Sequence, residues 1–267
     1  MRHPFADAIV NAGRYVPAEG DYKGDDGLWY CGKCHTPRQF VITEESPIKG
    51  VVVAVMCRCM KEEYVADEKR RSIGRIDSMR SMAFSDPAQA AWTFANDNGR
   101  NPKMDIAHRY CDKWEKIRKE NYGLLLWGGV GCGKSYMAGC IANALLDRGI
   151  RVRMTNFSRI MNDLMGSYEG RNEYLERLCS AELLIIDDFG VERKTEYAME
   201  QVYEVIDGRY RSRKPLIVTT NMTVSEFQHP QDIMHGRIYD RILEMCLPVR
   251  FTGESMRRPK VSGEILL

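Results

Sequence analysis

The sequence predicts an α/β domain built on a parallel β-sheet, and three observations support this fold class. From residue 103 onward, short continuous apolar runs alternate with segments of helical periodicity, as expected when helices cover both faces of a parallel sheet. A glycine-rich phosphate-binding motif follows the first of these runs. Four of the nine cysteines fall outside this region, between residues 31 and 59, which indicates a separate small module.

Composition and hydropathy limit the possible classes of protein. The chain has 267 residues, of which 44% are hydrophobic and 28% charged, enough for one large domain or two modest ones with a buried core. Its longest apolar run, 51–57, is far shorter than the roughly 18 residues that span a bilayer. No apolar segment typical of a secretion signal follows Arg2, so we expect a cytoplasmic protein without membrane contact. With a net charge of +2, any contact with nucleic acid would depend on local basic patches.

The cysteine pattern predicts a metal site. An odd total of cysteines, in a chain without a secretion signal, indicates reduced thiols instead of disulfides. Two close pairs, Cys31 with Cys34 and Cys57 with Cys59, would supply four thiolate ligands for a tetrahedral Zn²⁺. Such a site would also stabilise a module too small to bury much core. Because a single residue separates the second pair, reduced structural thiols are an alternative, and His35 could replace one ligand.

The pattern along the chain predicts three segments. Residues 1–65 form the cysteine-bearing module. Residues 66–102 are predicted to be a helical linker, because charged residues with spaced Ile and Met are followed by the helix-start signal Ser-Asp-Pro at 85–87. Turn formers at 96–102 then mark a break, after which residues 103–267 form the α/β domain.

The elements of the α/β domain are predicted in order. Apolar residues at three- and four-residue spacing predict a helix over 106–117, and the apolar run 123–127 predicts a buried strand. The next helix, 134–147, is expected to end at a Gly149 cap. Four further strands are predicted at 151–155, 183–186, 216–220 and 247–251.

The strongest motif matches G-x-x-x-x-G-K-[ST] and lies between a predicted strand and a predicted helix, so it predicts a nucleotide-binding P-loop. Its members are Gly128, Gly129, Val130, Gly131, Cys132, Gly133, Lys134 and Ser135. The glycines let consecutive N–H groups face a phosphate at the positive end of the helix. Lys134 would reach the β- and γ-phosphates of ATP, and Ser135 would bind Mg²⁺. The alternative is a glycine-rich turn with an incidental Lys-Ser pair.

Polar residues at two other strand ends would complete this site. Asp187 follows four apolar residues and would face Mg²⁺. Asp188 could polarise the attacking water, or it could cap the next turn instead. Asn221 follows the next predicted strand and could help to orient that water, or could belong to an ordinary turn.

Arginines near the C-terminal side could act on phosphates. Arg237 and Arg241 are four residues apart on a predicted helix over 236–245, so they share one face. An arginine inserted into a neighbouring subunit's site would neutralise charge that develops on the γ-phosphate. The alternative is a pair of solvated helix arginines. Arg257 follows the last predicted strand and could meet phosphate or belong to a solvated tail.

Two basic stretches could contact DNA phosphates, or could equally be solvated surfaces. One is Lys69 to Arg71, and the other comprises Arg209, Arg211, Arg213 and Lys214, with Tyr210 among them.

Together, the motifs resemble those of the DnaC-type replicative-helicase loaders, in particular the phage and Gram-positive branch with a preceding cysteine-pair zinc module. The resemblance is strongest over residues 100–258 and rests on LLLWGGVGCGKS, LLIIDDFG, EYAMEQVYEVIDGRYRS, KPLIVTTN and RIYDRILEMC. It implies an AAA+ ATPase core without the usual helical lid. It also implies docking of the N-terminal part on the hexameric helicase, ATP-regulated binding of single-stranded DNA, and a homo-oligomer held together by ATP.

The resemblance also implies roles for single residues. Gly128–Ser135 corresponds to the Walker A motif, Asp187 with Asp188 to Walker B, and Asn221 to sensor 1. Arg241 corresponds to the arginine finger, with Arg237 beside it.

Two positions depart from the patterns that the resemblance provides. Arg257 is a candidate for sensor 2, although Met256 precedes it where the family has an aromatic residue. Asp188 stands where Glu is usual in AAA+ proteins, and its shorter side chain implies slow turnover.

The motifs and the resemblance together imply that the protein is an ATP-dependent loader of the replicative helicase with slow ATP hydrolysis. In its sheet, the strand order would be 5-1-4-3-2, which places the strand before Asn221 between those that carry the P-loop and Asp187. One alternative is an IstB-type transposition helper, which has a similar core but typically lacks the zinc module. Another is a zinc-dependent adaptor that binds nucleotide with little hydrolysis.

Overall fold

The computed structural model describes residues 15–43, 49–166, 170–190, 195–253 and 255–256. The chain divides into two compact units, Met1–Gly74 and Arg75–Leu267. The segment boundaries at residues 65 and 102 stay a prediction.

The N-terminal unit contains two small antiparallel sheets. Strand β1 (Tyr22–Lys23) pairs with β2 (Trp29–Tyr30), and β3 (Gln39–Val41) pairs with β4 (Val52–Ala54). Among the described residues up to Gly74, the only buried hydrophobic side chains are those of cysteines 31 and 57. Burial of apolar surface therefore contributes little to the stability of this unit.

A long polar helix and several short ones precede the main sheet. Helix α1 (Arg58–Ala83) has polar residues around its whole circumference, typical of a solvated helix. The predicted start signal at 85–87 is present as a 3₁₀ helix, Pro87–Ala91, whose N-cap Asp86 accepts a hydrogen bond from the Ala88 N–H.

A second 3₁₀ helix, Phe94–Asn96, precedes the region predicted as a helix over 106–117. That region contains two helices, α2 (Met104–Asp112) and α3 (Trp114–Glu120), which meet at Lys113.

The C-terminal unit contains a five-stranded parallel sheet. Its strands are β5 (Gly123–Gly128), β6 (Val152–Thr155), β7 (Leu183–Phe189), β8 (Leu216–Thr220) and β9 (Cys246–Phe251). The spatial order β6-β7-β8-β5-β9 confirms the predicted order 5-1-4-3-2, since the two describe the same sheet from opposite edges. Strand β8 thus lies between the P-loop strand and the strand that carries the two aspartates.

Helices cover both faces of this sheet, as predicted. They are α4 (Lys134–Asp147), α5 (Phe157–Gly166), α6 (Arg171–Ser180), α7 (Glu196–Ser212), α8 (Val224–Gln228) and α9 (Ile233–Met245). Successive residues of one strand point to opposite faces. Leu124 and Leu126 of β5 therefore belong to one core with α2 and α4, and Leu125 belongs to another with α5, α7 and α9.

Among residues 252–253 and 255–256, which follow β9, no helix is present. None of the helices in the described part of the chain combines the length and apolar character needed to span a membrane.

Candidate functional site

The phosphate-binding motif has the strand–loop–helix geometry that the sequence predicts. Strand β5 ends at Gly128 and α4 begins at Lys134. Gly128, Gly131 and Gly133 adopt φ values of 139°, 80° and 89°, where residues with a Cβ are strained. A Cβ on Gly128 would lie 2.1 Å from the backbone oxygen of Phe251. The glycines are therefore required by the backbone path of the loop.

Lys134 is buried and lies across this loop. Its Nζ donates hydrogen bonds to the backbone oxygens of Gly128 and Gly129, at 2.9 and 2.6 Å, and to Oδ1 of Asn221 at 2.9 Å. The structure therefore brings the predicted lysine and the residue at the end of β8 together. The alternative that Asn221 serves only an ordinary turn does not account for this contact.

Asp187 is buried beside the start of α4. Its Oδ1 accepts a hydrogen bond from the hydroxyl of Thr219 at 2.6 Å. Burial raises the pKa of Asp187, and hydrogen bonds from Thr219 and Ser135 lower it only in part. A carboxylate and a hydroxyl that meet in a site where ionisation is costly are suited to a divalent cation, since the cation stabilises the charged carboxylate. Ser135 and Asp187 thus fit the predicted Mg²⁺ site.

Asp188 lies at an irregularity of strand β7. The pairing register with β8 shifts between Ile186 and Phe189, and Asp188 has a φ of 52° with an exposed side chain. Such bulges change the direction of a side chain and are common next to active sites. The next described helix, α7, is capped by Thr195, so Asp188 caps no described helix.

Thr219 connects the two aspartates and was missed by the sequence reasoning. Its Oγ1 donates to the carboxylate of Asp187 and accepts from the backbone N–H of Asp188 at 3.0 Å. The side chain is fully buried. The available signal was the pair of hydroxyl residues, Thr219 and Thr220, that ends the otherwise apolar strand β8.

A cleft of about 500 Å³ joins these groups. Residues 130–136, Asp188, Asn221 and Met256 line it. The remaining lining comes from an earlier part of the chain, which we call the 92–101 segment: Trp92, Asn96, Asp97, Asn98 and Asn101.

Sequence reasoning assigned the 92–101 segment to the linker and its turn formers, and did not place it at the site. Helix α4 holds it there, because Nδ2 of Asn143 donates to the backbone oxygen of Trp92 at 3.0 Å. The hydroxyl of Tyr136 likewise donates to the backbone oxygen of Thr93 at 3.0 Å.

Of the predicted arginines, neither Arg237 nor Arg241 lines the cleft of its own chain. Arg241 pairs with Asp207 at 2.6 Å, and its guanidinium lies over the ring of Tyr203 at 4.7 Å. Arg237 is exposed and has no ion pair among the described residues. Arg257 lies outside the described residues.

In the basic stretch at the C-terminal end of α7, Arg209 differs from the predicted solvated or DNA-binding character, whereas Arg211 and Arg213 are exposed. Arg209 is fully buried and donates hydrogen bonds to backbone oxygens that include those of Ala181 and Pro215. Ala181 follows α6 and Pro215 precedes β8, and the carbonyl groups at the end of a helix lack partners within that helix. Burial lowers its pKa to about 10. Arg211 pairs with Asp207 at 2.7 Å. Arg209 is therefore a structural residue and cannot contact DNA.

The four clustered cysteines come together in the N-terminal unit. Their sulfur atoms all lie within 4.8 Å of one another, with Cys31 and Cys59 at 3.7 Å. Tetrahedral zinc with Zn–S bonds of about 2.3 Å requires sulfurs about 3.8 Å apart, so the donor set fits this metal.

The thiol pKa values agree with a cation site. A hydrogen bond from Thr36 lowers the pKa of Cys34 to about 5, whereas neighbouring Cys57 and other thiols raise that of Cys59 to about 12. Four thiolates this close therefore need a cation to ionise together. His35 does not belong to the cluster, and its Nδ1 lies 3.3 Å from the hydroxyl of Tyr22.

Comparison with known proteins agrees with the geometry of the cleft. A family model described as IstB-like ATP binding protein matches residues 60–263. An ATP-binding protein in an insertion sequence of Mycobacterium tuberculosis is 29% identical over 222 residues, which cover 77% of this chain and 82% of that protein. The replicative helicase loader DnaC of Escherichia coli K12 is 29% identical over 172 residues, 62% of this chain and 67% of that protein. The crystal structure of DnaI has a TM-score of 0.55 at 25% identity, over 67% of this chain and 99% of that one.

Proposed function

The chain belongs to the family of IstB-like ATP-binding proteins, and from this membership we propose that it is an ATP-dependent loader of a replicative DNA helicase. The observation that carries the ATPase part is the convergence of Lys134, Asp188 and Asn221 on one cleft. The observation that favours a loader is the four-cysteine cluster that precedes this core in the sequence. The proposal is also supported by the similarity to DnaC, which is named a replicative helicase loader.

The chain's own residues have distinct roles in the proposed reaction. Backbone N–H groups of the loop and the start of α4 bind the phosphates, and Lys134 exchanges its present oxygen acceptors for phosphate oxygens. Ser135 and Asp187 would hold Mg²⁺, which supplies positive charge to the β- and γ-phosphates. Asp188 accepts a proton from the attacking water, and Asn221 orients that water. The short side chain of Asp188 makes this step slow.

Hydrolysis is proposed to occur in an ATP-bound homo-oligomer, because no arginine is among the described residues that line the cleft. Helix α9 supplies the arginine from a neighbouring copy. Arg237 can reach that site without breaking an ion pair, whereas Arg241 would have to leave Asp207. We therefore assign the inserted cation to Arg237, with Arg241 beside it, and reverse the order that the resemblance implied.

The N-terminal unit is proposed to bind zinc through its four cysteines and to dock on the helicase hexamer. Segment 1–65 and the part of segment 66–102 that precedes the 92–101 segment would thus carry the partner contact. The 92–101 segment would belong to the ATPase core with residues 103–267, and this core would also contact single-stranded DNA. The second candidate function is a transposition helper. It is favoured by the insertion-sequence relative, of which this chain covers 82%.

A loading assay tests the proposal. Helicase retained on circular single-stranded DNA is measured after incubation with the full chain and ATP. We expect retention with the wild type and its loss with Lys134→Ala. The matched control is Lys116→Ala, which removes an exposed lysine whose ion-pair partner among the described residues is Glu120. Equal retention with and without the chain would exclude the loader function.

A further inference from the structure

We propose that Asn101 recognises the base of the bound nucleotide, by donating a hydrogen bond from Nδ2 to a ring nitrogen of adenine. The proposal rests on the nucleotide-binding function proposed above. Asn101 precedes helix α2, lines the cleft and is only 7% exposed. In the sequence it belongs only to the turn formers at 96–102.

The orientation of the Asn101 amide follows from a local contact. Its Oδ1 accepts a hydrogen bond from the backbone N–H of Lys103 at 2.9 Å. A backbone N–H can only donate, so the oxygen must face Lys103 and the NH₂ group must face away from it. Nδ2 is buried and finds no acceptor among the described residues. A buried donor without an acceptor is unfavourable, which indicates that a ligand supplies one.

The position of Nδ2 in the cleft indicates that its acceptor is the base of the nucleotide. Nδ2 lies 3.3 Å from the point where a Cβ of Gly133 would be, and Sδ of Met256 lies 3.5 Å from the same point. Lys134, Asp188 and Asn221 are the groups that we propose to act on the phosphates, and the 92–101 segment supplies much of the remaining lining of the cleft, so we assign the ribose and base to that segment. The half-buried Met256 has a flexible thioether, which a base can displace to reach the amide.

The wall that carries Asn101 is preorganised. A Cβ on Gly139 of α4 would lie 2.6 Å from the ring of Trp92, so the glycine allows this ring to pack directly on the helix. Together with the hydrogen bond from Asn143 to Trp92, this contact fixes the segment before the base arrives. The unsubstituted ring nitrogens of adenine are all acceptors, which a lone amide donor matches.

A contact with the base can be distinguished from a contact with the phosphates by comparing the binding of ATP with that of a ligand that has phosphates but no base. Affinities for ATP and for inorganic tripolyphosphate are measured with the full-length Asn101→Ser variant, whose hydroxyl keeps an acceptor for the Lys103 N–H but removes the amide donor. We expect ATP affinity to fall about 5- to 30-fold, the range for one lost buried hydrogen bond. Tripolyphosphate affinity stays within about twofold of wild type.

The matched control is Asn156→Ser. Asn156 is not among the residues that line the cleft, its Oδ1 accepts from the N–H of Arg159 at 2.8 Å, and its side chain is exposed. We expect this variant to bind ATP like the wild type. Should Asn101→Ser fail to fold, Asn101→Asp keeps the size of the side chain and the acceptor for the Lys103 N–H. Because its charge also repels phosphates, this variant must weaken the binding of ATP more than that of tripolyphosphate.

Three results overturn the assignment. Unchanged ATP affinity in Asn101→Ser excludes any contact, and an equal loss for tripolyphosphate makes it a phosphate contact. If the wild type binds neither ligand, the proposed nucleotide site is itself wrong. If the wild type binds ATP and Asn101→Ser binds it equally well, only the assignment of Asn101 to the base is wrong.

Discussion

At the scale of single residues, Thr219 determines how the two aspartates are presented. Its hydroxyl donates a hydrogen bond to the carboxylate of Asp187 and accepts one from the backbone N–H of Asp188. These bonds form where the pairing register between β7 and β8 shifts. A single buried hydroxyl thus orients both the proposed metal ligand and the proposed base.

Replacing Thr219 by valine keeps the shape of the side chain and removes both hydrogen bonds. We expect Thr219→Val to lower the ATPase rate at saturating ATP about tenfold or more, because Asp188 loses its fixed position. ATP affinity should change little. Thr220→Val is the matched control, since its hydroxyl bonds the backbone oxygen of Phe189 and neither carboxylate. Equal rates for both variants would contradict this role.

Asp187 gives a prediction about pH. Because burial raises its pKa in the folded chain, the folded state binds the proton more tightly than the unfolded state. Without nucleotide, stability therefore falls as pH rises from the unfolded pKa of about 4 through the raised folded value. We expect Asp187→Asn to raise the melting temperature by a few degrees at pH 7 and to have little effect near pH 4.

The same variant should lose Mg²⁺-dependent ATP binding. Melting curves at several pH values without nucleotide, and titration with Mg·ATP, provide both readouts. A melting temperature that falls at pH 7 would show that Asp187 stabilises the empty site as a charged group.

At the scale of elements, the main sheet could be predicted because its signals are local. The apolar runs gave each strand, and helix α4 matches its predicted bounds 134–147, since glycines border it in the sequence. The parallel order followed from the resemblance, and the structure confirms it.

Features set by distant contacts could not be predicted. Burial of Arg209 depends on the carbonyls of Cys179, Ala181, Glu182 and Pro215. The 92–101 segment reaches the cleft through contacts with Asn143 and Tyr136, more than 40 residues away. The bulge at Asp188 has no local signal, because it arises from the pairing of β7 with β8.

The cysteine cluster gives a prediction for one element. We expect about one zinc per chain in protein purified without added zinc, and less than half of that in Cys57→Ser, because three ligands leave the tetrahedral site open. Cys179→Ser, outside the cluster, should keep the metal. Metal analysis by mass spectrometry measures both. Equal zinc in the two variants would exclude the cluster as the binding site.

At the scale of the whole molecule, the proposed arginine acts between copies of the chain. Arg237→Ala should bind ATP normally and hydrolyse it at least tenfold more slowly. Lys134→Ala should not bind ATP but retains Arg237. A mixture of the two inactive variants should regain part of the activity, because an intact P-loop can then meet an intact arginine across one interface. Absence of any recovery, with mixed oligomers demonstrated, would contradict insertion from a neighbour.

In the proposed function, an ATPase core acts together with a cysteine-rich unit that contacts a helicase. The most direct test is co-elution of the full chain with the replicative helicase of its host, with and without ATP. We predict a complex that depends on ATP and is lost in Cys57→Ser but not in Cys179→Ser. Failure to bind the helicase, together with ATP-dependent assembly on bare DNA, would contradict the proposed function and support the transposition helper.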